Sequence, residues 1–135
     1  MKKNCPDFKF LKHPKLKKIV KRVIRQIVHP QLISLDLSEV RSICENKKDF
    51  EVLRYTIKCK PGWDKELQKK IKNIDLGGVS GIIVIVEGNL NLNLRELSNI
   101  GKIFGKKSKK KQITWTAHIN KNIEDKVRID IILAL

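Results

Sequence analysis

Two carboxylates set three residues apart are the part of this 135-residue sequence best suited to chemistry. Asp36 and Glu39 stand in PQLISLDLSEVRSIC, residues 30–44, where Leu37, Val40 and Ile43 begin an apolar helical repeat. An acceptor followed three positions later by glutamate is the pattern of a capping box, whose side chains satisfy the first unpaired N–H groups of a helix. From residue types alone, the other reading of the two acids is a catalytic pair. The two readings are compatible, because a capped turn is a rigid one.

Other reactive residues are dispersed. Cys5, Cys44 and Cys59 form no CxxC pair and have no histidine at ligand spacing, which predicts reduced thiols and no zinc site. His13, His29 and His118 have no cysteine or acid at catalytic spacing, and no GxSxG or Cys/His arrangement supports a nucleophile. The glycines are Gly62, Gly77, Gly78, Gly81, Gly88, Gly101 and Gly105, with a single adjacent pair. A phosphate cradle needs clustered glycines so that backbone N–H groups can approach the anion, so these residues alone predict no nucleotide site, no cofactor and no enzyme activity.

The charge balance speaks to partners. Thirty Lys and Arg against fourteen Asp and Glu leave a net charge of +16, with a pI near 10.0, and this favours acidic partners without saying anything about the fold. Nucleic acid is the alternative partner on this footing. No helix-turn-helix, zinc-finger or RNP signature accompanies the charge, and the stacking candidates are few: Trp63, Trp115 and Tyr55, the last two on core-facing positions. Such binding would be mainly electrostatic and would fall steeply with salt. A membrane partner is disfavoured, since no apolar run approaches roughly 20 residues and no signal peptide is evident. The expected location is the cytoplasm.

The elements that must carry these groups follow from periodicity. Residues 1–12 read as a basic arm, and residues 13–46 as a helical segment bearing the acid loop. Pro14 opens a helix with Leu16, Ile19, Val20, Val23, Ile24, Ile27 and Val28 on one face, and Lys15, Lys18, Lys21, Arg22 and Arg25 on the other. That apolar face holds no aromatic anchor for lipid. Alternation of Leu53, Tyr55, Ile57 and Cys59 predicts a strand; Pro61 and Gly62 end it, and Asp64 is placed to cap a helix with Leu67, Ile71 and Ile74. GIIVIVEG, residues 81–88, reads as a central strand covered on both faces. Asn93 and Glu96 form a second capping box, for a helix with Leu94, Leu97, Ile100 and Phe104. GKKSKKK, residues 105–111, reads as a solvated loop whose Lys106, Lys107, Lys109 and Lys110 join the basic helix as candidates for contact with a partner or anion. Two strands covered on one face close the sequence, around residues 113–119 and 127–133. The prediction over residues 50–135 is an α+β two-layer sandwich: a mixed four-stranded sheet with two helices on one face, in the order β-α-β-α-β-β.

Three blocks carry a resemblance. PQLISLDLSEVRS (30–42), GVSGIIVIVEGNLNLNLREL (78–97) and KVRIDIILAL (126–135) resemble, in order, the inter-domain loop, the glycine-flanked strand with its following helix start, and the last strand of the FtsZ and tubulin family's C-terminal domain. The resemblance covers roughly residues 15–135. It implies that the loop from Ser34 to Glu39 enters the nucleotide pocket of a neighbouring subunit, where Asp36 and Glu39 would act in trans on the γ-phosphate. Asp36 falls on the family's first loop aspartate; Glu39 replaces the second aspartate and Ser34 an asparagine. The family's GGGTGTG loop does not occur, so GTP enters only if a partner subunit supplies it. The implied partner is a polymerising FtsZ-like GTPase or a second copy of this chain, with filaments modulated or capped.

Overall fold

In the computed structural model, which describes residues 31–33, 37–45, 49–89, 92–108 and 111–135, the first described elements are β1 (Gln31–Ile33) and α1 (Leu37–Cys44). It continues through β2 (Phe50–Lys58), α2 (Trp63–Ile71), β3 (Gly81–Gly88), α3 (Leu94–Ser108), β4 (Gln112–Ile119) and β5 (Lys126–Ala134). The expected arm, the basic helix with Lys15, Lys18, Lys21, Arg22 and Arg25, and residues Ser34, Asp36, Lys109 and Lys110 lie outside the described residues.

The strands form one mixed sheet in the order β1-β4-β3-β5-β2, in which β3 and β4 are parallel and every other neighbouring pair is antiparallel. The four long strands are those that the alternation and, for β3, the apolar run predict. β1 adds a short fifth strand at the edge, within residues 13–46, which read as a helical segment bearing the acid loop. β5 lies between β2 and β3, so β2-α2-β3 is a split crossover, while β3-α3-β4 joins adjacent parallel strands.

Side chains alternate between two faces, and each face has its own core. On one, Trp63, Leu67 and Ile71 of α2 and Leu97, Ile100 and Phe104 of α3 pack on Ile82, Val84, Val86, Val127, Ile129 and Ile131. Their i, i+3, i+4 spacing puts one apolar stripe of each helix on the sheet. Gly101 permits the close approach of α3: a Cβ there would lie 3.0 Å from the Trp115 ring. On the other face, Val40, Ile43 and Cys44 of α1 pack on Ile83, Ile85, Ile132 and Ala134. Gly81 plays the same part here, because a Cβ would meet Ile43 Cγ2 at 2.7 Å.

Several local expectations change. β4 and β5 are covered on both faces rather than one, with Thr114, Thr116, His118 and Asp130 buried. They are interior strands, so their alternate polar residues point at a second covered face. Asp64 does not cap α2; Gly62 occupies that position with φ +88°, and the buried Asp64 carboxylate accepts from Asn99 Nδ2 at 3.0 Å. Trp63 is fully buried in the core and offers no stacking face. Asn93 caps α3 as expected, with Glu96 N–H donating to Asn93 Oδ1 at 2.9 Å, but the Glu96 carboxylate accepts from the Asn93 side-chain amide at 2.6 Å and not from its backbone N–H. α3 then runs on through Gly105–Ser108, residues that read as loop, because lysine is a good helix former and favourable at a helix C-terminus. Lys111, at the other end of that stretch, donates Nζ to the Val79 carbonyl at 2.6 Å.

Candidate functional site

The acid-bearing segment is anchored on both sides. Before it, β1 pairs with β4 through Gln31↔His118 and Ile33↔Ala117. After it, α1 is fixed by Val40, Ile43 and Cys44, whose burial pushes the Cys44 thiol pKa up to about 12. Glu39 is half-buried in the first turn of α1, where the helix N-terminus favours a negative charge. Ser34 and Asp36 belong to the stretch that joins these two anchors.

Beside it, on the same face, lies a polar network that sequence reasoning assigned no role. Glu87, His118 and Asp130 are 4%, 2% and 5% exposed. His118 Nε2 lies 3.1 Å from Glu87 Oε2, and Arg128 Nη1 donates to Glu87 Oε1 at 3.1 Å. Arg54 grips Asp130 with two bonds, Nε to Oδ1 at 2.6 Å and Nη2 to Oδ2 at 3.2 Å. Burial alone would raise the Glu87 pKa; the hydrogen bond and charge of His118, with Arg128 and Asn120, outweigh it and hold the carboxyl below its ordinary value.

Each contact joins direct cross-strand partners: Arg54 with Asp130, Glu87 with Arg128, and Glu87 with His118. The network therefore stitches β2, β5, β3 and β4 in one register, and a one-residue slip of any of them would place its member on the opposite face. Among the described residues no group of His, Cys, Asp and Glu could hold a metal ion. The network's chemistry is positional. His118 is also the register partner of Gln31, so the row that fixes the sheet ends on the strand preceding the acid segment.

The predicted lysines lie elsewhere. Lys106 is exposed in the last turn of α3, and Lys107 Nζ donates to the Lys72 carbonyl at 3.0 Å. α3 covers the face opposite α1, so the sheet separates these lysines from Glu39. Among the described residues no helix is long and apolar enough to cross a membrane.

The profile of the FtsZ family, C-terminal domain, matches residues 58–134, more than half of the chain. The chain belongs to the FtsZ family. Among similar solved structures, an FtsZ mutant from M. jannaschii superposes with a TM-score of 0.71 at 20% identity, over 90% of this chain and 38% of its own. An empty FtsZ dimer from M. jannaschii gives 0.63 at 21% identity, over 91% and 40%. CetZ2 from Haloferax volcanii, as a GTPγS-bound protofilament, gives 0.62 at 8% identity, over 88% and 37%. At these identities the likeness is one of fold. The chain spans about two-fifths of the length of the FtsZ chains it matches. A search of curated proteins found no match.

For the FtsZ-type domain the sequence located the fold-defining blocks and missed the Glu87–His118 pair. One signal was available, a lone glutamate inside the otherwise apolar GIIVIVEG strand. A buried acid requires a partner. Which residue supplies it depends on strand order.

Proposed function

We propose that this FtsZ-type C-terminal domain binds a polymerising FtsZ-like GTPase, or a second copy of itself, and modulates or caps filaments through residues 34–39. One observation carries the reading: the segment is pinned on one side by β1 against β4 and on the other by α1 against the sheet. A segment so held can meet a neighbouring subunit with little loss of conformational freedom.

In this reading Ser34, Asp36 and Glu39 enter a neighbour's nucleotide pocket, and the two acids orient water toward the γ-phosphate of GTP supplied by that neighbour. The relatives solved as a dimer and as a protofilament support association between like subunits. These 135 residues contain no glycine-rich phosphate cradle, so a molecule presenting this segment alone would stop growth at the end it occupies. The net charge of +16 speeds encounter with an acidic filament more than it deepens affinity.

The test adds the 135-residue chain to an FtsZ-like GTPase at about 0.15 M salt and follows sedimentation and GTP turnover. Less polymer should pellet with the parent chain, and Asp36→Ala or Glu39→Ala should reverse the effect. If neither quantity responds to the parent chain, the reading fails. A gel shift on mixed DNA and RNA that persists at that salt and survives both substitutions would favour nucleic acid instead.

A further inference from the structure

α2 and α3 lie side by side and run in the same direction. Asn99 bonds Asp64 near one end and, eight residues on in each helix, Lys107 bonds the Lys72 carbonyl at the other. Between them runs a groove of about 880 Å³ on the surface away from the sheet. Its floor is the half-buried Ile103 above the buried Ile71, and its walls carry six lysines.

The lysines form two rails. On α2 and its C-cap they are Lys65, Lys69 and Lys72, at i, i+4 and i+7; on α3 they are Lys102 and Lys106, at i and i+4, with Lys107 beside them. Asp64 is the one acid in the lining, and its carboxylate is buried and engaged by Asn99. Among the described residues none of the six ammonium groups is in an ion pair. Helix C-termini account for part of the charge, since Lys69 and Lys106 stand in last turns and Lys107 satisfies a carbonyl. They do not account for Lys65 or Lys102, which lie a turn or more before those ends. A concave wall of like charge over an apolar floor concentrates positive potential where a ligand would sit.

We propose that this groove is a docking site for an acidic amphipathic helix of a partner protein. Lys65 to Lys72 spans seven residues, about 10 Å along the axis, which is two turns of a partner helix. A segment with apolar residues at i, i+3, i+4 and i+7 and carboxylates on both flanks covers Ile103 and meets both rails. Nucleic acid fits less well. The groove has no arginine to fork onto phosphate or a base edge and no aromatic ring to stack a base, and a phosphate backbone would leave the apolar floor uncovered. The site shares no residue with segment 34–39 and does not depend on the filament reading.

The probe is a synthetic helix with Leu at i, i+3, i+4 and i+7 and Glu on both flanks, compared with a scrambled peptide of equal composition and with single-stranded oligonucleotide. Anisotropy is measured against the full chain at about 0.15 M salt. The patterned peptide should bind at least about tenfold tighter than the scramble. The double substitution Lys69→Glu with Lys102→Glu should weaken it at least about tenfold, while Lys121→Glu, in the β4–β5 turn, leaves it unchanged. Amide shifts on the unsubstituted chain should map to α2 and α3, which decides the matter should the double variant misfold. Equal binding of the two peptides, or shifts elsewhere, overturns the proposal. So does tight oligonucleotide binding at that salt with the same sensitivity to the double substitution.

Discussion

Glu87 and His118 face one another across the parallel pair β3–β4, register partners whose side chains meet at 3.1 Å with almost no access to solvent. Arg128, from β5 on the other side of β3, takes the second carboxylate oxygen. A single acid thus answers two strands.

Removing that acid leaves two donors facing a low-dielectric space. Glu87→Ala should destabilise the domain by about 3 kcal/mol, the low end for breaking a buried pair, because Arg128 keeps partial contact with water. Urea unfolding measures it, with the midpoint falling at unchanged slope. A loss below about 1 kcal/mol, the scale of a surface pair, would contradict this account.

The same group sets an acid limit. The folded-state pKa of Glu87 is depressed, so its stabilisation is complete above the unfolded value of about 4.3 and disappears as the pH falls through the lower folded value. Urea midpoints measured downward from neutral pH should drop more steeply below about pH 4 in the parent chain than in Glu87→Gln. Parallel curves would show that Glu87 does not carry the linkage.

Two glycines should respond to alanine with opposite signs. At Gly81 the added methyl would press on Ile43 Cγ2 at 2.7 Å, costing about 1–3 kcal/mol and loosening α1. At Gly105, exposed within α3 with no atom within 4 Å of the added carbon, alanine should stabilise by about 0.5–1 kcal/mol. Thermal melts of the two variants check both signs.

Thiol labelling should be ordered. In a Cys5→Ser background, the half-buried Cys59 should react with iodoacetamide before Cys44, whose burial raises its pKa to about 12. Gly81→Ala, by loosening α1, should speed the Cys44 reaction and leave that of Cys59 alone. Equal rates in the parent chain would place Cys44 outside the core beneath α1.

What was legible in the sequence is what local pattern encodes. The apolar run within Gly81–Gly88 declared a central strand, and Asn93 with Glu96 declared the start of α3. The acids of segment 34–39 were found by a sequence block, which is local as well. The rest depends on order and register. Nothing near His118 shows that Glu87, on another strand, will stand beside it, since a helix of fifteen residues separates β3 from β4. Nor does the alternation in β5 tell a strand with one wet face from a central strand whose second face holds Arg128 and Asp130. Of the lysine rails, Lys106 and Lys107 read as part of a solvated loop rather than a helix face. That the rails border a single groove follows only from the parallel packing of α2 and α3.

The position of β5 has a consequence during synthesis. β2 is made before β5, its neighbour among the described strands, and Arg54 waits for Asp130, 76 positions later. At about 5–20 residues per second, a ribosome leaves the nascent β2 without its mate for several seconds. Glu51, Arg54 and Lys58 interrupt that strand's apolar residues, and such charges guard a waiting edge against premature association with other chains.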